Sequence, residues 1–164
     1  MSFEKHFDQF CCYYLDQKDN TAYLSKLAEL ASRVEVVTVD LETTGLNPLK
    51  DQISLIGIGV KDKESGWNCF LFDQLDHDFT KTLRPLLESK KTYKLGHNFK
   101  FDWSFLWYQT GIDCQPILDT MLAAIVCEYG TMQEKGRWGL AALSLEKLGR
   151  HMDKDEELRT SFKG

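Results

Sequence analysis

The chain has 164 residues, a formal net charge of −5, 43% hydrophobic and 27% charged residues. This is enough for one domain with a real core, and it excludes a disordered chain. The acidic balance argues against a free-standing protein that grips long nucleic acid by a basic face. It leaves room for one that holds a few nucleotides through metal ions bound by acidic side chains.

In chain order, Phe3, Phe7, Phe10, Cys11 and Tyr14 have helix-like spacing, which predicts a helix over 2–17. Asp19, Asn20 and Thr21 then offer capping groups before an amphipathic helix over 22–32. Together these residues form a helical lead-in over 1–32. Val34 to Val39 is β-branched and reads as a buried strand. After a turn at Thr43-Thr44-Gly45 and Asn47-Pro48, Ile53 to Val60 and Trp67 to Phe72 read as two more strands. Short links make the three an antiparallel meander. The pattern then alternates: a helix over 79–87, a strand over 92–96, and a helix over 99–109 stopped by Gly111. A helix over 116–128 follows, with Asp119 as a cap, then a polar loop over 129–138 and a last helix over 144–150. The expected fold class is α/β, a mixed sheet flanked by helices.

The longest nearly apolar stretch, Ile53 to Val60, is too short to cross a bilayer as a helix, and the N-terminus carries no secretory signal pattern. The five cysteines (11, 12, 69, 114 and 127) form no two-residue motif. They read as reduced thiols of a cytoplasmic protein.

The segment Val39-Asp40-Leu41-Glu42-Thr43-Thr44-Gly45 needs a chemical explanation. Asp40 and Glu42 stand two apart at a strand end, so both side chains lie on one face. Paired carboxylates beside a core repel each other and resist desolvation. Either both sit in solvent or a cation stands between them. No Lys or Arg follows the pair before Lys50, past the turn. A second segment, Gly96-His97-Asn98-Phe99-Lys100-Phe101-Asp102, reads as strand end, Asn98 cap and helix start, with Asp102 four residues after Asn98 on the same helix face. Asp102 alone is explained by the helix dipole. Its aromatic neighbours read mostly as core, with Phe101 and Phe105 available to stack on a nucleotide.

With VDLETTGLNP at 39–48, GHNFKFD at 96–102, LDTMLAA at 118–124 and LSLEKLG at 143–149, the sequence resembles the DnaQ-like, four-carboxylate 3′–5′ exonucleases of the ribonuclease-H-like fold. Within that superfamily it is most similar to the proofreading domain of family A DNA polymerases, with ribonuclease D-type exonucleases next. The likeness runs from about Leu24 to Phe162. It implies a two-metal mechanism with Mg²⁺ or Mn²⁺ as cofactor, hydrolysing phosphodiesters at a single-stranded or frayed 3′-end of DNA, with RNA as the alternative substrate. It assigns Asp40, Glu42 and Asp102 as catalytic residues and metal ligands. Thr43 and Leu46 match positions near the terminal nucleotide, and Asn98 one beside the scissile strand. Asp119 falls at the family's Asp-Thr helix start and is kept as a cap.

The family also carries a fourth acid on a late helix, preceded four or five residues earlier by Tyr or His. His151 with Asp155 has such a spacing, as does His151 with Glu156. The surrounding residues instead resemble the segment before that motif, so the expectation is a single domain over 1–164 lacking its C-terminal helix. Such a chain would be a weak enzyme, a piece of a longer polymerase-containing chain, or a non-catalytic vestigial module.

Overall fold

The computed structural model describes residues 3–7 (backbone only), 10–16, 20–75, 77–128 and 137–152. The elements in chain order are β1 (Phe3–Phe7), β2 (Phe10–Leu15), α1 (Thr21–Ser32), β3 (Val36–Thr43), β4 (Ile53–Asp62), β5 (Gly66–Asp73), α2 (Thr80–Leu87), β6 (Tyr93–Gly96), α3 (Lys100–Thr110), β7 (Ile117–Asp119), α4 (Thr120–Cys127) and α5 (Leu140–Leu148). Seven strands form one mixed sheet in the order β1-β2-β5-β4-β3-β6-β7. The expected β3–β4–β5 meander is antiparallel, whereas β6 runs parallel to β3 and β7 parallel to β6. This is the α/β class expected from sequence.

Strand alternation sorts the side chains. Val37, Val39 and Leu41 of β3 join Ile56, Ile58 and Val60 of β4 and Phe70 and Phe72 of β5 in the core. Leu27, Leu30 and Ala31 of α1, Leu83 and Leu87 of α2, and Phe105 and Leu106 of α3 pack in the same cluster. The alternate residues of β3, Thr38, Asp40 and Glu42, therefore stand on the opposite face. Asp40 is exposed and Glu42 half-buried.

Three expectations are corrected. Of the helix expected over 2–17, the described residues form instead two antiparallel strands, β1 and β2. Aromatic residues carry strong β propensity, and β2 finds a long-range parallel partner in β5, with Tyr13 stacked on Phe70 at 4.7 Å between centroids. Residues 116–128 are not one helix: Ile117–Asp119 pair with β6 as an edge strand, and the helix begins at Thr120. The free edge of β6 supplies hydrogen bonds that a helix starting at Pro116 would forgo. The last helix begins four residues earlier than expected, at Leu140. No helix among the described residues is long and apolar enough to cross a membrane.

Candidate active site

β3 is longer than β6. The parallel pairing ends at Thr38–Leu95, while β3 continues against β4 as far as Thr43. Beyond Thr38 the β6-facing edge of β3 has no strand partner, yet a buried backbone amide there must be satisfied. The Leu41 N–H donates to Asp102 Oδ1 at 3.0 Å. A carboxylate from a segment 61 residues away thus sits on the amide between Asp40 and Glu42. The structure brings these two segments together.

Asp102 is 4% exposed. Burial pushes its carboxyl up to about 7, and the negative charge of Asp40 pushes the same way. The Leu41 amide opposes the shift and Asp119 adds to it. The acid is therefore held where its charged form is disfavoured, beside another carboxylate. Among the described residues no three His, Cys, Asp or Glu side chains are gathered closely enough to enclose an ion. The oxygen donors of Asp40 and Asp102, with Glu42 on the strand face of Asp40, fit hard divalent cations in chemistry. A cation would offset the repulsion that lifts Asp102.

Local sequence explains the access. Asp40 faces Gly57 across the β3–β4 ladder, so no side chain fills the neighbouring position. A register shift between Glu42 and Thr43 re-aims the strand end. The following loop is cross-braced: Thr43 Oγ1 donates to Gly45 O (2.6 Å), Thr44 N to Gln52 O (2.9 Å) and Asn47 N to Asp51 Oδ2 (2.7 Å). A Cβ on Gly45 would lie 2.4 Å from the Asp51 carboxylate, so a larger residue there would displace the acceptor that holds Asn47 N. This braced loop holds Leu46 outward, 84% exposed.

The start of α3 differs from expectation. Asn98 does not cap the helix; its φ is +58° and it precedes the helix start. The acceptor comes instead from Asp119, whose Oδ1 takes the Asn98 N–H (3.0 Å) and whose Oδ2 takes the Phe99 N–H (2.8 Å). Asp119 Oδ1 also caps α4 through Met121 N (2.8 Å) and Leu122 N (3.3 Å), as expected. Phe105 is wholly buried in the core and has no surface to stack on a nucleotide. Phe101 is half-buried with its ring 5.0 Å from that of Phe105. His97 Nδ1 lies 2.9 Å from Thr120 Oγ1, which itself donates to Gly96 O.

His151 is exposed, and Asp155 lies outside the described residues. The apolar cavity of about 590 Å³ between α3, β7 and α4, lined by Leu95, Phe99, Trp103, Ile117 and Leu122, is bordered by none of the three acids. Sequence reasoning missed Lys94, fully buried in β6, whose ammonium donates to Ser89 O (2.8 Å), Thr92 O (2.9 Å) and Gln115 O. A lysine inside an apolar strand was the available signal.

The mixed sheet thus carries Asp40 and Glu42 on β3, with Asp102 of α3 seated on the amide between them. A family model described as 3′–5′ exonuclease matches residues 15–160, and the chain belongs to that family. The chain is 29% identical over 153 residues to DNA polymerase I of Pseudomonas aeruginosa, covering 88% of this chain and 16% of the polymerase. It is 29% identical over 136 residues to ribonuclease D of Desulfotalea psychrophila, covering 83% of this chain and 34% of that protein. It thus spans about one sixth and one third of these two relatives. The fold is similar to that of Escherichia coli RNase D (TM-score 0.71, 24% identity, 92% of this chain and 36% of that one). It is also similar to Brucella melitensis NrnC with bound Mg²⁺ (TM-score 0.64, 20% identity, 94% and 72%).

Proposed function

We propose that this domain is a metal-dependent, proofreading-type 3′–5′ exonuclease that hydrolyses phosphodiesters at the 3′-end of DNA. The observation that carries the reading is the seating of Asp102 on the Leu41 amide, between Asp40 and Glu42. These three carboxylates would hold Mg²⁺ or Mn²⁺. Divalent cations bound there supply Lewis acidity at the phosphodiester and lower the pKa of water toward neutrality. The chain's own residues position the strand. Leu46 offers an exposed apolar surface to the terminal base, and the Thr43 hydroxyl stands at the same loop. Asn98, exposed at the turn into α3, and Phe101 face the preceding nucleotide. The acidic balance of the chain suits delivery of a frayed single-stranded end by a linked polymerase domain rather than unaided capture of duplex.

A ribonuclease D-like action on RNA 3′-ends is the second reading, favoured by the likeness to ribonuclease D over 83% of the chain. The test is trimming of matched 5′-labelled DNA and RNA strands with Mn²⁺, with EDTA, and in the Asp40→Asn variant. The expected result is stepwise shortening of DNA that EDTA and Asp40→Asn abolish. Faster trimming of RNA selects the second reading. Absence of trimming of either strand defeats both, and absence of saturable Mn²⁺ binding as well marks a vestigial module.

A further inference from the structure

Asp119 is placed to do more than cap α4. Its two oxygens accept from four backbone amides on two elements. Oδ1 takes Asn98 N, Met121 N and Leu122 N at 3.0, 2.8 and 3.3 Å, and Oδ2 takes Phe99 N at 2.8 Å. Asn98 has a φ of +58°, a conformation disfavoured for a residue with a Cβ, so the turn needs holding. That turn sets where α3 begins, because Asn98 O and Phe99 O accept from Phe101 N (3.0 Å) and Trp103 N (2.8 Å) on either side of Asp102. One turn later Asp102 must reach the Leu41 amide at the unpaired edge of β3. The β6–β7 register, with Gly96 opposite Asp119, brings the two helix starts side by side.

We propose that Asp119 is a positioning residue for the acidic site, holding Asp102 on the Leu41 amide by tying the start of α3 to the start of α4. It touches neither substrate nor ion; it acts through the backbone of residues 98 and 99. The consequence for activity rests on the exonuclease reading above, but the positioning does not.

The oxygen assignment makes Asp119→Asn a selective probe. The amide oxygen in place of Oδ1 still takes the Met121 and Leu122 amides, so α4 keeps its cap. The amide nitrogen in place of Oδ2 confronts the Phe99 N–H, donor against donor, so the Phe99 half of the tie to α3 breaks while the Asn98 N–H keeps its acceptor. Hydrogen exchange of individual amides is measured by NMR on the metal-free 164-residue chain. Protection of the Leu41 amide should fall about tenfold or more in Asp119→Asn, with Ile58 and Phe70 in the same sheet unchanged. In parallel the Mn²⁺ concentration that half-saturates binding, followed by calorimetry, should rise about tenfold or more, the usual size of a lost supporting contact. Unchanged Leu41 protection, or a loss shared equally by Ile58 and Phe70, overturns the proposal. The Leu41 readout needs no metal and no substrate. If the wild-type chain neither binds Mn²⁺ nor trims, the exonuclease reading fails while a selective loss at Leu41 still establishes the positioning.

Discussion

Replacing Asp102 by asparagine should make the metal-free protein more stable at pH 8 while removing its response to metal. The Asp102 carboxyl is pushed up to about 7 by burial and by Asp40, from an ordinary value of 3.8. Between those two values the folded state binds one proton more than the unfolded state, so stability falls as pH rises through that window. Below about pH 4 Asp102 is protonated in both states and the penalty is absent; above about pH 7 it is fully present. About three pH units at about 1.4 kcal/mol each set a ceiling of about 4 kcal/mol, and relaxation around the site brings the expected value to about 2–4 kcal/mol. Asparagine keeps an oxygen for the Leu41 N–H, which Asp102 Oδ1 accepts at 3.0 Å, and carries no charge at any pH. The assay is urea unfolding of both proteins with EDTA at pH 4, 6 and 8. The stability difference should be near zero at pH 4 and grow in favour of Asp102→Asn by pH 8. Added Mn²⁺ should stabilise the wild type alone. A difference that stays flat with pH would refute the reasoning, because the penalty would then not come from the buried charge.

Lys94→Met should destabilise by about 2–3 kcal/mol, because it strips the shared donor from the buried Thr92 carbonyl and from those of Ser89 and Gln115; a neutral urea midpoint would contradict this. Gly96→Ala places a Cβ 2.3 Å from Phe99 Cδ2 and 3.2 Å from Val39 O, and Phe99 is 1% exposed with nowhere to turn. It should cost about 1–3 kcal/mol in unfolding experiments and slow trimming as the α3 start shifts. Phe105→Ala should cost about 3–5 kcal/mol of stability with KM for an oligonucleotide unchanged, since the ring is wholly enclosed. Phe101→Ala, at a half-buried ring, should raise that KM; equal effects of the two on KM would remove Phe101 from the strand path.

The parts of the site legible in the sequence are those where one local pattern suffices. Val36, Val37 and Val39 forced a strand, strand alternation put Asp40 beside Glu42, and Gly111 marked the end of α3 with its φ of +67°. The misread parts depend on partners distant in the chain. Phe3, Phe7, Phe10 and Tyr14 fit helical spacing, but they fall in two strands, and the inner one, β2, is held by β5, more than fifty residues on. Ile117 and Leu118 look like a first helical turn until the free edge of β6 is known. Asn98 has the chemistry of a cap, yet the cap arrives from Asp119, and no local rule reports that two helix starts lie side by side. Lys94 is the extreme case, since its carbonyl partners come from two separate loops.

The same geometry separates what the fold requires at position 102 from what the chemistry requires. The fold requires an acceptor, because β3 outruns β6 and leaves the Leu41 amide without a strand partner. A neutral amide side chain meets that need without a buried charge. A carboxylate meets it at a penalty that Asp40, one residue from Leu41, makes larger. Charge at this position is therefore a burden on the metal-free protein at neutral pH, relieved only when something positive enters between β3 and α3. Asp102 thus argues for a cation more strongly than the exposed Asp40 does, since solvent already satisfies Asp40 and offers Asp102 almost nothing.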